Sequence, residues 1–119
     1  VRVLRSAGVH GWTDDPAAVC TLGNSGGQAL QVAIKAGARR VLLLGFDMTR
    51  ERGDHWHGDH PRHFKVTHEE TYGVWRGRFD AAAPEILRRA DVVTVTPSAL
   101  RCFRASTLER ELASLREAA

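Results

Sequence analysis

Thr21-Leu22-Gly23-Asn24-Ser25-Gly26-Gly27-Gln28 and, further on, Arg40-Val41-Leu42-Leu43-Leu44-Gly45 decide how this chain folds. The second stretch is apolar without alternation, the pattern of a strand buried on both faces as in a parallel sheet. Between the two, Ala29, Leu30, Ala33 and Ile34 recur at helical spacing. Asn24 or Ser25 can cap the start of that helix, and Gly37 suits its carboxyl end. Val19–Leu22 reads as a short extended run entering the turn. Strand, helix and strand then form a βαβ unit, whose crossover chain sterics make right-handed.

Outward from this unit, Val1–Leu4 reads as a short strand and 6–16 as a loop punctuated by Gly, Asp and Pro. From Phe46 to Thr67 the chain is a long polar loop, a type that is usually functional or disordered in a compact domain. Glu69–Ala90 reads as helix, with Tyr72, Trp75, Phe79, Ile86 and Leu87 as its apolar stripe, and Pro84 is expected to break or restart it. Asp91–Thr96 is a third strand ended by Pro97. Leu108–Ala118 is an amphipathic helix on Leu108, Leu112 and Leu115. The order β-α-β-loop-α-β-α predicts an open, mostly parallel α/β sheet with helices on its faces.

The chain has 119 residues, enough for one domain, 1–119, with a modest core. Its 43% apolar and 26% charged residues are those of an ordinary soluble globular chain. No apolar run is long enough to span a membrane. The opening Val1-Arg2-Val3-Leu4-Arg5 carries no initiator Met and no signal-peptide pattern, so the expectation is a domain lacking its N-terminal portion. Cys20 and Cys102 are far apart without CxxC spacing, which favours reduced thiols and a cytoplasmic protein. The net charge of +3 comes from arginines interleaved with acids, a distribution that argues against specific nucleic-acid binding.

The Gly-rich turn sits where a strand meets a helix N-terminus. Unpaired backbone N–H groups and the positive helix end there suit a phosphate, and glycines allow close approach. Its spacing is neither GxGxxG nor a P-loop. The alternative is a capped helix whose glycines serve tight packing.

Gly23-Asn24-Ser25-Gly26-Gly27-Gln28-Ala29-Leu30 and Ala36-Gly37-Ala38-Arg39-Arg40-Val41-Leu42-Leu43-Leu44-Gly45-Phe46-Asp47-Met48 resemble a Rossmann-like group of bacteriophage and prophage proteins. That group is similar to the bacterial sialyltransferases that use CMP-sialic acid. His55-Trp56-His57-Gly58-Asp59-His60-Pro61 and Thr96-Pro97-Ser98-Ala99-Leu100 also look like the phage branch, so the resemblance covers nearly the whole chain. It implies a Rossmann-like sheet with helices on both faces and a nucleotide or nucleotide-sugar at the sheet's carboxyl edge. By the resemblance, Asn24, Ser25, Gly26, Gly45, Asp47, Pro97 and Ser98 bind the nucleotide, a CMP-type ligand. His60, then His57, is the general base of a glycosyl transfer that requires no cofactor. The tyrosines that hold the CMP phosphate in the sialyltransferases have no counterpart in Met48-Thr49-Arg50-Glu51. The competing class is therefore a non-enzymatic phage morphogenesis or assembly protein with a degenerate site. A homo-oligomer is compatible with either.

His55–His60 also spells His-x-His-x-Asp-His, the zinc signature of the metallo-β-lactamase superfamily. His55 and His57 would converge on one ion, and Asp59 and His60 on a second, with a bridging hydroxide as nucleophile. The motif does not follow an apolar strand directly and no histidine lies beyond His68, so a dimetal hydrolase is the second alternative and zinc is not expected. The remaining readings are a single metal on His55, His57, His60 or His63, hydrogen-bonding roles over the sheet edge, and an imidazole acid/base that titrates near neutral pH.

Overall fold

The computed structural model describes residues 3–51 and 67–119. Its elements, in chain order, are β1 (Arg5–Ser6), β2 (Ala18–Val19), α1 (Ser25–Lys35), β3 (Arg40–Leu43), α2 (Glu69–Leu87), β4 (Asp91–Thr94), β5 (Arg104–Ala105) and α3 (Leu108–Glu117). Among the described residues the strand pairings are parallel: β1 with β2 in one small sheet, and β3-β4-β5 in another. The class is α/β with parallel strands, as the element order predicts. Among the described residues no helix is long and apolar enough to cross a membrane.

α1 forms where its sequence signals place it. Asn24 is the N-cap, and its Oδ1 accepts from the Gly27 N–H at 2.8 Å. At the far end Gly37 adopts φ +99°, and the Gly37 and Ala38 N–H groups donate to the Ile34 and Ala33 carbonyls. That paired closure needs a residue free to enter the left-handed region, which glycine does without a Cβ penalty. The helix buries Leu30 and Ile34 against the core and carries the small sheet with its other groups. Gln31 is fully buried, accepting from the Cys20 N–H (3.0 Å) and donating to the Gly11 carbonyl (2.8 Å). Lys35 donates to the Thr13 and Asp15 carbonyls, and Trp12 lies between the Lys35 ammonium and the Arg89 guanidinium.

Several expectations are corrected. The first strand forms at Arg5–Ser6, leaving Val3 and Leu4 exposed and unpaired. β2 and β3 flank α1 but belong to different sheets, so the adjacent βαβ pair is β3-α2-β4. Of the two four-residue strands the more buried is β4, with Val92, Val93 and Thr94 all buried. In β3 only Leu43 is buried, and Leu44 beyond it is exposed. The reason is position: β4 is central in the sheet, and β3 is an edge. β5 is too short, at two residues, to register as a strand pattern.

α2 runs through Pro84 to Leu87 without breaking. Pro84 lies one turn from the end, where little helix remains to be disrupted, and Phe79, Ala82, Ala83 and Ile86 anchor that turn in the core. Leu87, expected in the apolar stripe, is exposed. Phe79 is completely buried and meets Phe46 and Phe103 edge-on, with ring centroids 6.4 and 6.2 Å apart.

α3 is the largest correction. Its inward residue is Glu111, and Leu112 and Leu115 face solvent. The Glu111 carboxylate accepts from Arg104 Nη1 and Nη2 at 2.7 and 2.9 Å, and Arg40 Nη1 lies 3.4 Å away. Asp91 bridges the same two arginines, at 3.1 Å from Arg40 and 2.7 Å from Arg104. Alternating charges from β3, β4, β5 and α3 thus close on one another. The hydrogen bonds from Arg104 hold the Glu111 carboxyl down to about 2. Apolar periodicity alone cannot reveal a helix docked by a paired charge.

Candidate functional site

The carboxyl ends of the parallel strands bring most of the candidate residues together. After β3, Gly45 turns with φ +69° and its N–H donates to Thr96 Oγ1 at 2.9 Å. The Ala99 N–H donates to the Asp47 carbonyl at 2.8 Å, the Ser98 hydroxyl donates to the Phe46 carbonyl, and the Leu100 N–H donates to Ser98 Oγ at 3.1 Å. The loops after β3 and β4 are therefore stitched into one surface. Asp47 joins it through its backbone, and its carboxylate has no partner among the described residues.

The Gly-rich turn meets the same surface through Phe46. A Cβ on Gly26 would stand 2.8 Å from the Phe46 ring, so the ring packs directly on the helix backbone. A Cβ on Gly27 would lie 2.7 Å from the Leu22 side chain and 2.9 Å from the Thr21 carbonyl. These glycines admit the protein's own groups. Asn24 is likewise committed: its amide caps Gly27 and donates to the Leu22 carbonyl at 3.3 Å. Ser25 is exposed at the start of α1. The capping alternative thus describes Asn24 and Gly26, whereas Ser25 is open to a ligand.

An open cavity of about 460 Å³ lies next to this surface, between the β4 end and the start of α3. Thr96, Pro97, Ser98, Arg101, Ser106 and Thr107 line it. Arg101 Nη1 donates to the Ser98 carbonyl at 2.9 Å, which leaves the other guanidinium N–H groups for a ligand. Thr96 Oγ1 accepts from Gly45 and retains its own hydrogen to donate. Thr107 is the α3 N-cap, accepting from the Arg110 N–H at 3.3 Å. Hydroxyls, a guanidinium and a helix N-terminus around one space suit phosphate and sugar oxygens. Pro97 and Ser98 were expected here from sequence. Arg101, Ser106 and Thr107 were not, although a Thr directly before an apolar-periodic helix is itself a start signal.

A second cluster fixes the chain beyond Asp47. Met48 sits at φ +55°, and its carbonyl accepts from Arg76 Nη1 at 2.5 Å. The same Arg76 nitrogen donates to Glu69 Oε1 at 2.7 Å. Glu69 Oε2 accepts from the Arg50 N–H at 2.8 Å and the Thr49 hydroxyl at 3.3 Å. The Arg50 N–H, then Arg76, holds the Glu69 carboxyl below its ordinary range.

His55, His57, Asp59 and His60, and with them the expected general base and the alternative zinc ligands, lie outside the described residues. Among the described residues no group of three or more His, Cys, Asp or Glu is placed to hold a metal. Cys20 and Cys102 are both free. Burial first, and Asp80 second, push the Cys102 thiol up to about 12, so it is not a thiolate nucleophile at neutral pH. Comparisons with protein families, with curated proteins and with solved structures find no match to this chain.

Proposed function

We propose that this chain is a Rossmann-like domain, with helices on both faces of its sheet, that binds a nucleotide or nucleotide-sugar at the carboxyl edge. The observation that carries this reading is the cavity lined by Thr96, Ser98, Arg101 and Thr107, directly beside the stitched Gly45–Asp47 and Pro97–Ser98 turns. In a parallel α/β sheet that edge is where ligands bind. The phosphate would lie against Arg101 and the α3 N-terminus, and the sugar hydroxyls against Thr96 and Thr107. The resemblance to sialyltransferase-like glycosyltransferases supplies the chemistry. A histidine, His60 or His57, takes the proton of an acceptor hydroxyl. The acceptor oxygen bonds to the anomeric carbon, and the nucleoside monophosphate leaves with the electrons of the broken bond. No cofactor takes part.

Calorimetric titration with CMP, CMP-sialic acid and UDP-sugars tests the binding. Saturable binding of a cytidine nucleotide, weakened at least tenfold in Arg101→Ala with an unchanged melting temperature, is the expected result. No binding by any nucleotide would refute the reading.

A second reading is favoured by one feature of the turn. Asn24, Gly26 and Ser98 already serve Gly27, the Phe46 ring and the Phe46 carbonyl. A site so filled suits a phage morphogenesis or assembly protein that retains the fold without the reaction. Nucleotide binding with no transfer to any acceptor would point to that reading.

A further inference from the structure

We propose that α3 is a self-association surface, through which two copies of this chain pair as antiparallel helices about a two-fold axis. α3 meets its own sheet by polar groups. Glu111 takes Arg104 and Arg40, and the Ser114 hydroxyl accepts from Arg40 Nη1 at 2.8 Å. Leu112 and Leu115 each follow one of these two residues, so they stand about 100° round the helix from the docked stripe. Leu108 completes an i, i+4, i+7 spacing with them. Leu112 and Leu115 are 45% and 48% exposed, and Leu108 is half-buried. Alternation along β3 carries Arg40, Leu42 and, just beyond the strand, Leu44 to the face that α3 occupies, and Leu44 is exposed too. On the other two helices exposed apolar residues stand singly, Val32 on α1 and Val74 and Leu87 at distant points of α2, which is ordinary for a protein surface.

Charge decides the occupant. Glu109 follows Leu108 and Arg116 follows Leu115, so both border the leucine stripe on the side away from the docked groups. Neither has an ion-pair partner among the described residues. A second α3 laid antiparallel sets Leu112 against the partner's Leu115, Glu109 beside the partner's Arg116, and Arg116 beside the partner's Glu109. A parallel pairing would put like charges together at both positions, which disfavours it. The stripe and its border are thus complementary to themselves in one orientation, the requirement of a two-fold interface, in which every contact occurs twice. The leucine patch is small beside a standard interface, so the dimer is weak and forms as concentration rises. This inference does not depend on the cavity taking a nucleotide.

The test is sedimentation velocity of the chain from micromolar to millimolar concentration. A shift from monomer to dimer across that range is expected. Leu112→Glu, at a position already exposed in the monomer, should weaken dimerisation at least tenfold with an unchanged melting temperature. Glu109→Arg and Arg116→Glu should each weaken it, since each sets like charges together twice, and the two changes combined should restore it towards the wild-type value. A chain that stays monomeric at millimolar concentration would overturn the proposal. So would a Leu112→Glu protein that dimerises as the wild type does, which would place the interface elsewhere. A charge-swapped double variant no better than the single variants would overturn the antiparallel register. If Leu112→Glu fails to fold, the single and double charge swaps decide by the same measurement.

Discussion

Two helix starts face the carboxyl edge of this molecule, and they have been used differently. At α1 the turn is glycine-rich, and the approach those glycines allow is taken by the protein itself: the Phe46 ring on Gly26, the Leu22 side chain against Gly27, the Asn24 amide on the cap. At α3 there is no glycine, yet Thr107 begins a helix beside an open cavity floored by Pro97 and Ser98. Glycine in a turn says that something comes close to the backbone. It does not say whether a ligand or a neighbouring side chain comes.

The most damaging change should be Phe79→Ala. Phe79 supports Phe46 from one side and Phe103 from the other, so its loss removes the floor under both regions. The expected cost is about 3–5 kcal/mol in chemical denaturation, as for other buried phenylalanines. Next is Gly26→Ala, whose Cβ must push the Phe46 ring. A loss of about 1–3 kcal/mol is expected from such overpacking. A neutral result would mean the ring moves freely and that the α1 turn can open to a ligand, which would erase the contrast. Asn24→Ala should cost about 1 kcal/mol as a lost N-cap. If Asn24 is a cap and not a ligand group, cytidine nucleotide affinity stays at its wild-type value when measured well below the melting temperature.

The smallest effect at neutral pH concerns what holds α3 in place. The Glu111 carboxyl is lowered from an ordinary 4.5 to about 2 in the folded chain, chiefly by Arg104. Its contribution to stability is therefore full above about pH 4.5 and is lost as the pH falls towards 2. Melting temperatures followed from pH 6 to about pH 2 should decline over that interval, and Glu111→Gln should flatten that part of the decline. Equal slopes in the two proteins would show that Arg104 and Arg40 do not discriminate between the charged and neutral side chain.

Local signals explain which features were legible. Asn24, Gly37 and the spacing of Leu30 and Ile34 announce α1 because capping and periodicity act within one or two turns. Asp91–Thr96 announces a strand for the same reason, but that this strand, and not Arg40–Gly45, is the buried one was not legible. The exposure of Leu44, Leu112 and Leu115 was not legible, since it depends on β3 being an edge strand and on Glu111 docking α3 through Arg104. Nor was the separation of β2 from β3 into different sheets, because hydrogen-bond pairing between strands is a long-range choice. In the candidate site, Gly45, Asp47 and Ser98 do converge, but the groups that join them are largely backbone.

The sequence by itself determined the α/β class, the three helices and the existence of the strands at 40–43 and 91–94, because each is written in caps, periodicity and apolar runs over a few residues. Only the tertiary structure decided that Phe46 fills the α1 turn and that, among the described residues, an open cavity lies beside Thr107. Those outcomes depend on which side chains from distant segments reach a point first. No local pattern encodes that competition for space and charge.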